Sequence, residues 1–190
     1  ATFDYNVYNP AGNMNAPETT LIGTGNATFN KVNLDISKLN VTNNTLKGKI
    51  SADISGAKPY VTIDLSGTTF NLGDFKTNKP TAFNFELINS ANATAYVPND
   101  KIPFDLLKSA NAKATLTLKK LIVDDNLTLT DLALKAALVN GTMTIKPLDF
   151  KIGKGSINLT SVINANNKSI SLQGTSKDVL ITDVAKQLQV

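Results

Sequence analysis

Strict alternation of apolar and polar residues is the feature that most restricts what this chain can fold into. A period of two belongs to β-strands, whose successive side chains point to opposite faces of a sheet. The clearest run places Ala112, Ala114, Leu116 and Leu118 between lysines and threonines. Similar runs that predict strands recur from Val32 to Leu65, including Ile54, at 83–87, from Leu127 to Leu172, and at Val179 and Ile181. The pattern therefore predicts an all-β chain with an apolar stripe on one face.

A change of parity interrupts the run that begins at Leu127. Leu127 and Leu129 share one parity, whereas Leu132 and Leu134 share the other. One extra residue in a strand, a β-bulge, would return all four side chains to the same face. The sequence therefore predicts a bulge near Thr130-Asp131.

The links between the runs consist of residues that favour tight turns. Asn140-Gly141 is the strongest hairpin signal, because both residue types tolerate positive φ. The stretches 124–126, 153–155 and 164–167 are similarly rich in Asp, Asn and Gly. Such short links require antiparallel pairing. Helix is expected only as short turns, at 103–108 and 183–188.

The two halves of the chain resemble each other. Val32-x-Leu34-x-Ile36 and Leu46 have the spacing of Met143-x-Ile145-x-Pro147 and Ile157. The segment 63–67 similarly echoes 170–174, each ending in Gly. We expect a first β unit over 1–101 and a second over 102–190, stacked along one axis as in repeat proteins. The expected fold is an elongated, curved antiparallel sheet of repeated β units, groove-like or sandwich-like.

The composition argues against catalysis and against nucleic acid as a partner. The chain has no His and no Cys, so it lacks the usual general base, thiol nucleophile and zinc ligands. We therefore predict no enzyme activity, no catalytic residues, no metal site and no cofactor. The net charge is +4, but every basic residue is Lys, and these are scattered with no interleaved aromatic residues.

No apolar run is long enough to span a bilayer, and residues 1–4 carry neither part of a signal peptide. The chain also begins with Ala instead of Met. We expect it to be a segment of a longer protein.

The second half resembles the AsmA family of bacterial envelope proteins. The resemblance lies in the order of several features: Pro103-Phe104-Asp105-Leu106-Leu107-Lys108-Ser109 before the strand from Ala112, then Leu127-x-Leu129-x-Asp131-Leu132-x-Leu134, Asn140-Gly141, Lys146-Pro147-Leu148, Gly153-Lys154-Gly155 and Val179-x-Ile181-x-Asp183-Val184. The family's paired glycines after an aromatic are here Gly-Lys-Gly after Ile152, and the first copy has no glycine pair at Val41-Thr42-Asn43-Asn44.

This resemblance implies a periplasmic protein of Gram-negative bacteria, tethered to the inner membrane by a helix outside this chain. It also implies phospholipid or another acyl lipid as partner, carried toward the outer membrane in an apolar groove that supports outer-membrane biogenesis. The remainder of the full-length protein is a further implied partner, with membrane contact through regions outside this chain. The groove-facing candidates are Leu116, Leu118, Leu127, Leu129, Leu132, Leu134, Leu138, Met143, Ile145, Phe150, Ile152, Ile157 and Leu159.

Two alternatives remain open from the residues alone. The apolar stripe has the pattern of the filled core of a β-sandwich as well as that of an open groove. The chain could also be a structural or adhesive envelope module that binds protein or glycan through its polar face, without lipid transfer.

Overall fold

The computed structural model describes residues 2–7, 19–75, 104–180 and 182, with the backbone alone for 2–7. Most of these residues lie in strands, and helical structure among them is limited to short turns, with 3₁₀ geometry at Leu72–Phe75 and Leu106–Lys108. The ten strands are β1 (Thr2–Val7), β2 (Thr19–Ala27), β3 (Lys31–Val41), β4 (Asn44–Asp53), β5 (Tyr60–Asn71), β6 (Asn111–Ile122), β7 (Thr128–Val139), β8 (Thr142–Ile152), β9 (Gly155–Asn164) and β10 (Ser169–Lys177).

All ten strands form one sheet in sequence order, from β1 at one edge to β10 at the other. Every neighbouring pair is antiparallel except β5–β6, which is parallel. The parallel pair joins two antiparallel meanders, β1–β5 and β6–β10. From β2 onward short links join the antiparallel strands, whereas the long link 72–110 lets β6 run in the direction of β5. The sheet is elongated, curved and not closed, which confirms the expected fold class.

The predicted hairpin at Asn140-Gly141 is confirmed. It joins β7 to β8, with φ of 49° at Asn140 and 81° at Gly141. Two successive positive φ values give the type I′ turn, whose twist matches that of paired strands.

The predicted bulge is also confirmed. The β7–β8 register shifts between Thr130 and Ala133, and Asp131 has φ of 51°. Leu121 pairs with Leu129 and also packs against the cluster that contains Leu132. Leu129 and Leu132 therefore lie on one face of the sheet. β3 and β8 each carry one residue more than both neighbours, between Ile36 and Leu39 and between Ile145 and Leu148.

The pairing of two hairpins follows the internal repeat. Val41 pairs with Asn44 and Lys31 with Asp53, and the residues 111 positions later, Ile152 with Gly155 and Thr142 with Asn164, pair identically. The β3–β4 and β8–β9 hairpins therefore have the same length and register. The third strands differ from the sequence echo, because the loop before β10 is two residues shorter than that before β5. As a result Ser176, and not Gly174, occupies the place of Gly67.

Two residues that the sequence predicts in strands lie outside the observed strands. Ile54, predicted in a strand, lies just beyond β4 and is 58% exposed. Val179, also predicted in a strand, lies beyond β10, where its backbone and side chain pass against Gly155. The strand expected at 83–87 and the helical turn expected at 183–188 lie outside the described residues.

The largest buried cluster sits in the middle of the sheet. Leu46, Leu118 and Leu132 are its buried members, and half-buried leucines and phenylalanines pack around them. Gly67 lies between Leu46 and Leu118, since a Cβ there would stand 2.8 Å from one side chain and 3.1 Å from the other. The missing side chain lets two leucines from β4 and β6 approach each other over β5.

Asn44 connects the start of β4 to the end of β5. It is 2% exposed, accepts a hydrogen bond from the Asn71 backbone N–H, and donates to the Asn71 carbonyl and Asp74 carboxylate, each at 3.3 Å. Its counterpart in the second half is Gly155, against which Val179 packs directly. Each meander thus ends with the chain held against the start of its penultimate strand.

Candidate functional site

One face of the sheet carries apolar residues in continuous rows that run across the strands. Residues paired directly opposite each other project to the same face, so the strand registers define each row. The first row crosses eight strands through Val32, Ala52, Val61, Ala112, Leu138, Met143, Ile163 and Ile170.

The second row contains Leu34, Ile50, Ile63, Ala114, Ala136, Ile145, Ser161 and Leu172. The third row contains Ile36, Gly48, Leu65, Leu116, Leu134, Leu148, Leu159 and Gly174. The fourth row is shorter and contains Leu39, Leu46, Gly67, Leu118 and Leu132. We call the surface made by these four rows the apolar face.

Most of the thirteen predicted groove residues belong to these rows. Leu138 and Met143 lie in the first row, Ile145 in the second, three in the third and two in the fourth. Phe150 pairs with Ile157 beside the fourth row and packs against the buried cluster. Leu129 pairs with Leu121 on the same face. Leu127 and Ile152 continue the same strand alternation beyond the rows.

Burial differs sharply among these thirteen side chains. Leu118, Leu127, Leu132 and Ile152 are buried, at 3%, 7%, 6% and 6% exposure. The other nine are half-buried. Within the described part of the chain, each strand contacts mainly its neighbours in the sheet. In addition, the turn Leu72–Phe75 contacts β6, and the turn Leu106–Lys108 contacts β8. No second sheet covers the apolar face within these residues, unlike the arrangement in a β-sandwich.

The middle of the first two rows is built of small residues. Ala112, Ala114 and Ala136 lie on β6 and β7, with Ala52 nearby on β4. Larger side chains flank them in the same rows, for example Ile63 beside Ala114 and Leu138 beside Ala112. The centre of the apolar face is therefore lower than its surroundings.

The opposite face, which we call the polar face, holds charges in cross-strand pairs. Asp35, Lys49, Asp64 and Thr115 stand opposite one another across β3 to β6. The Lys49 ammonium lies 3.5 Å from Asp35, and the Thr115 hydroxyl donates to Asp64 at 2.7 Å. Farther along, Lys151 donates to Asp131 at 2.8 Å. Exposed pairs of this kind contribute at most about 1 kcal/mol each.

Shallow depressions on the polar face are lined by hydroxyl, amide and charged groups together with atoms of row residues such as Leu34, Ile50 and Leu118. One is bordered by Thr24, Asn33, Asp35, Lys49 and Asp64, and another by Lys47, Ser66, Thr117, Lys119 and Asp131. Among the described residues, no three carboxylates gather where they could hold a metal ion. No described helix is long and apolar enough to cross a bilayer.

Among the described residues, the clearest pKa shift is that of Asp53, at the β4–β5 turn. The hydroxyl and backbone N–H of Ser55 donate to the Asp53 carboxylate at 2.6 and 2.9 Å, and the Lys31 ammonium lies 3.1 Å away. These donors, chiefly the Ser55 hydroxyl, lower the pKa of Asp53 to about 2. The arrangement is that of an Asx-turn, in which a carboxylate caps its own backbone two residues on, and it serves the turn.

Comparison of the chain with protein-family models, with curated proteins and with solved structures finds no match.

Proposed function

We propose that this chain is a lipid-handling segment whose apolar face holds the acyl chains of phospholipids. The observation that carries the proposal is a set of continuous apolar rows across eight strands, most of whose predicted lining residues are only half-buried. A filled core would bury such residues against a second layer, as sandwich domains do.

The energetics favour an apolar ligand on this surface. Each methylene group removed from water contributes about 0.8 kcal/mol, so ten methylenes along a row would contribute roughly 8 kcal/mol before the entropy of ordering is subtracted. The lower centre formed by Ala112, Ala114 and Ala136 leaves space for a chain to lie between the larger flanking residues. Headgroups would remain in water at the open side.

The dimensions of the rows also suit acyl chains. Neighbouring strands lie about 4.8 Å apart, so a row from β3 to β10 extends roughly 34 Å. The hydrocarbon core of a bilayer is about 30 Å thick and contains two acyl layers. One row therefore has the length of two acyl chains placed end to end.

The resemblance to the AsmA family supplies the proposed setting. In that setting the chain is the periplasmic part of a protein tethered to the inner membrane, it carries phospholipid toward the outer membrane, and it supports outer-membrane biogenesis. The absence of His and Cys agrees with a role that needs no chemical step.

The second candidate is a structural or adhesive module of the envelope, supported by the depressions on the polar face. Their Lys, Asp, Asn and Thr linings offer hydrogen bonds to a glycan or a protein loop. Under this alternative the apolar face would serve stability alone.

Charge placed on the apolar face distinguishes the two functions. Ile145 lies in the second row, two rows from the buried cluster, so a lysine there can extend its ammonium to water while its stem stays on the surface. We expect Ile145→Lys to remain folded and to lose about tenfold or more of its photo-cross-linking to a phospholipid with a photoreactive acyl chain, because the bound tail would desolvate the ammonium. Leu134→Lys, beside the buried cluster, should lose the same signal with a larger loss of stability.

Thr144→Lys and Ala133→Lys are the matched controls, since each adds the same charge to the next residue of the strand on the opposite face. Both should cross-link as the wild type does. Native mass spectrometry of the wild type should show co-purifying phospholipid. A folded Ile145→Lys protein with undiminished cross-linking would contradict the proposed path.

A further inference from the structure

Each edge strand of the sheet, β1 and β10, has one side without a neighbouring strand among the described residues. β10 pairs with β9 on one side, and its other side has no neighbour among the described residues. All nine of its residues are exposed, including Ile170 at 52% and Leu172 at 67%. Long exposed edges with apolar side chains are templates for adding a further strand.

The internal repeat identifies what such an edge accepts. Ile163 pairs with Ile170 as Ala52, its counterpart 111 residues earlier, pairs with Val61. Ser161 likewise pairs with Leu172 as Ile50 pairs with Ile63. Ile170 and Leu172 on β10 are therefore the counterparts of Val61 and Ile63 on β5.

On β5 these counterparts are half-buried, because β6 lies alongside in parallel. Ala112 pairs with Val61 and Ala114 with Ile63. The edge of β10 thus repeats an edge that, inside the molecule, is covered by the first strand of the following meander. The surface exposed on Ile170 and Leu172 is the surface that β6 covers on β5.

The strand equivalent to β6 in the first meander is β1. Each opens its meander and pairs antiparallel with the second strand. The outer side of β1 has no neighbour among the described residues. Counting antiparallel pairs from each end shows that β1 runs parallel to β5 and β10 parallel to β6. Because β5 and β6 are themselves parallel, β1 and β10 point the same way.

We propose that copies of this chain associate head to tail, with β1 of one copy pairing in parallel on β10 of the next. The contact would repeat part of the β5–β6 pair: β1 of one copy would begin beside Gln173 of the next, and Ile170 and Leu172 would lie outside the contact. Two different edges meet in such a contact, so it does not close into a symmetric dimer and grows into longer assemblies. The inference rests on strand direction and register and stands independently of lipid binding.

The register makes the contact specific. Phe3 pairs with Gly23, and Gly23 pairs with Ile36 of the third row. Tyr5 pairs with Leu21, and Leu21 pairs with Leu39 of the fourth row. On β10 the third row ends at Gly174, and Ser176 pairs with Ile157 beside the fourth. Repeating the pairing of Leu65 with Leu116 and of Gly67 with Leu118 places Phe3 next to Gly174 and Tyr5 next to Ser176 of the neighbouring copy.

The first test uses a charge on the proposed contact. Ser176→Lys leaves an already exposed position hydrated in the single chain but places an ammonium beside the added strand, and lysines on an edge oppose the pairing of a further strand. We expect sedimentation velocity to show that the wild type grows beyond a dimer as concentration rises, and that Ser176→Lys does not. Ser171→Lys, on the same strand but outside the contact, should behave as the wild type.

Ser176→Lys retains an intact β1, so a small proportion of it should shorten wild-type assemblies by capping one end. A wild type that stays monomeric at every concentration overturns the proposal, as does one that stops at a dimer. Far-UV circular dichroism and thermal melting confirm that each variant is folded.

The second test traps the contact itself. The chain has no Cys, so single cysteines report on one position each. Neighbouring strands bring Cα atoms within the range that a disulfide spans. Mixed Tyr5→Cys and Ser176→Cys proteins should form a cross-linked heterodimer under mild oxidation, and Tyr5→Cys mixed with Thr175→Cys should not. Equal cross-linking in both mixtures, or association without any cross-link, rejects the proposed register.

Discussion

At the scale of the residue, a few polar side chains decide how the chain turns. Asn44 and Asp53 both use side-chain oxygens to accept backbone N–H groups, at opposite ends of β4. A buried amide such as Asn44 needs these partners, because an unsatisfied buried polar group costs about 1–3 kcal/mol. Alternation could not reveal either role, because that of Asn44 depends on segments brought together by strand pairing and that of Asp53 on a local turn with Ser55.

Asp53 should make the stability of the chain depend on acid pH. Its pKa is lowered from 3.8 to about 2 in the folded chain, mainly by the Ser55 hydroxyl. A lowered carboxyl pKa adds stability that is present above the unfolded pKa and is lost as the pH falls through the folded pKa. Between about pH 4 and pH 2, urea unfolding should therefore show a smaller loss of stability for Asp53→Asn than for the wild type, with Ser55→Ala between them. Identical slopes for Asp53→Asn and the wild type would contradict this assignment.

At the scale of the element, irregular positions keep the apolar face continuous. A strand slipped by one residue would turn its apolar side chains to the polar face. The extra residue at Asp131 returns Leu132 and Leu134 to the face of Leu129, and Asp131 adopts a left-handed φ of 51° to do so. This bulge was predictable, because it leaves a parity change within one uninterrupted run.

The conformation of Asp131 predicts which substitutions the bulge tolerates. A side chain branched at Cβ is strained at positive φ by about 1–2 kcal/mol, whereas Gly is not. The exposed Lys151–Asp131 pair contributes less than about 1 kcal/mol. We expect Asp131→Gly to change the free energy of unfolding by less than about 1 kcal/mol and Asp131→Val to lower it by about 2 kcal/mol.

Urea denaturation measures both values, and Lys151→Ala isolates the ion pair. Equal stability of Asp131→Val and Asp131→Gly would show that the left-handed backbone is not retained in solution.

Other elements could not be predicted from the residues alone. The hairpin registers follow from short turns that are visible in the sequence, such as Asn140-Gly141. The β5–β6 register has no such determinant, because 39 residues separate Asn71 from Asn111 and that link imposes neither direction nor offset. The apolar rows cross this pair, so the thirteen candidate groove residues could be assigned to their strands from the sequence, while their alignment across the sheet could not.

At the scale of the whole molecule, a single open sheet distributes stability unevenly. Its buried cluster joins β4, β6 and β7, and exposure rises to the fully exposed β10. Local opening requires least free energy where few apolar contacts are broken. The central strands should therefore form the stable part and the β10 edge the most readily opened part.

Amide hydrogen exchange should follow this gradient. At a protein concentration too low for association, amides of β6 and β7 should exchange slowest and those of β10 fastest, with β9 between them. Exchange measured by mass spectrometry on peptides from each strand tests this order. Protection of β10 equal to that of β6 at such dilution would contradict the gradient.

The matching hairpins also make the length of this molecule adjustable. Asn44 and Gly155 begin equivalent strands in identical registers, 111 positions apart. A gene that encodes residues 1–154 followed directly by residues 44–190 joins the chain at a turn that both copies share. The product would carry five additional strands and about 24 Å of added sheet. Unequal recombination between the two halves of such a gene is therefore a direct genetic route to longer proteins with the same cross-section.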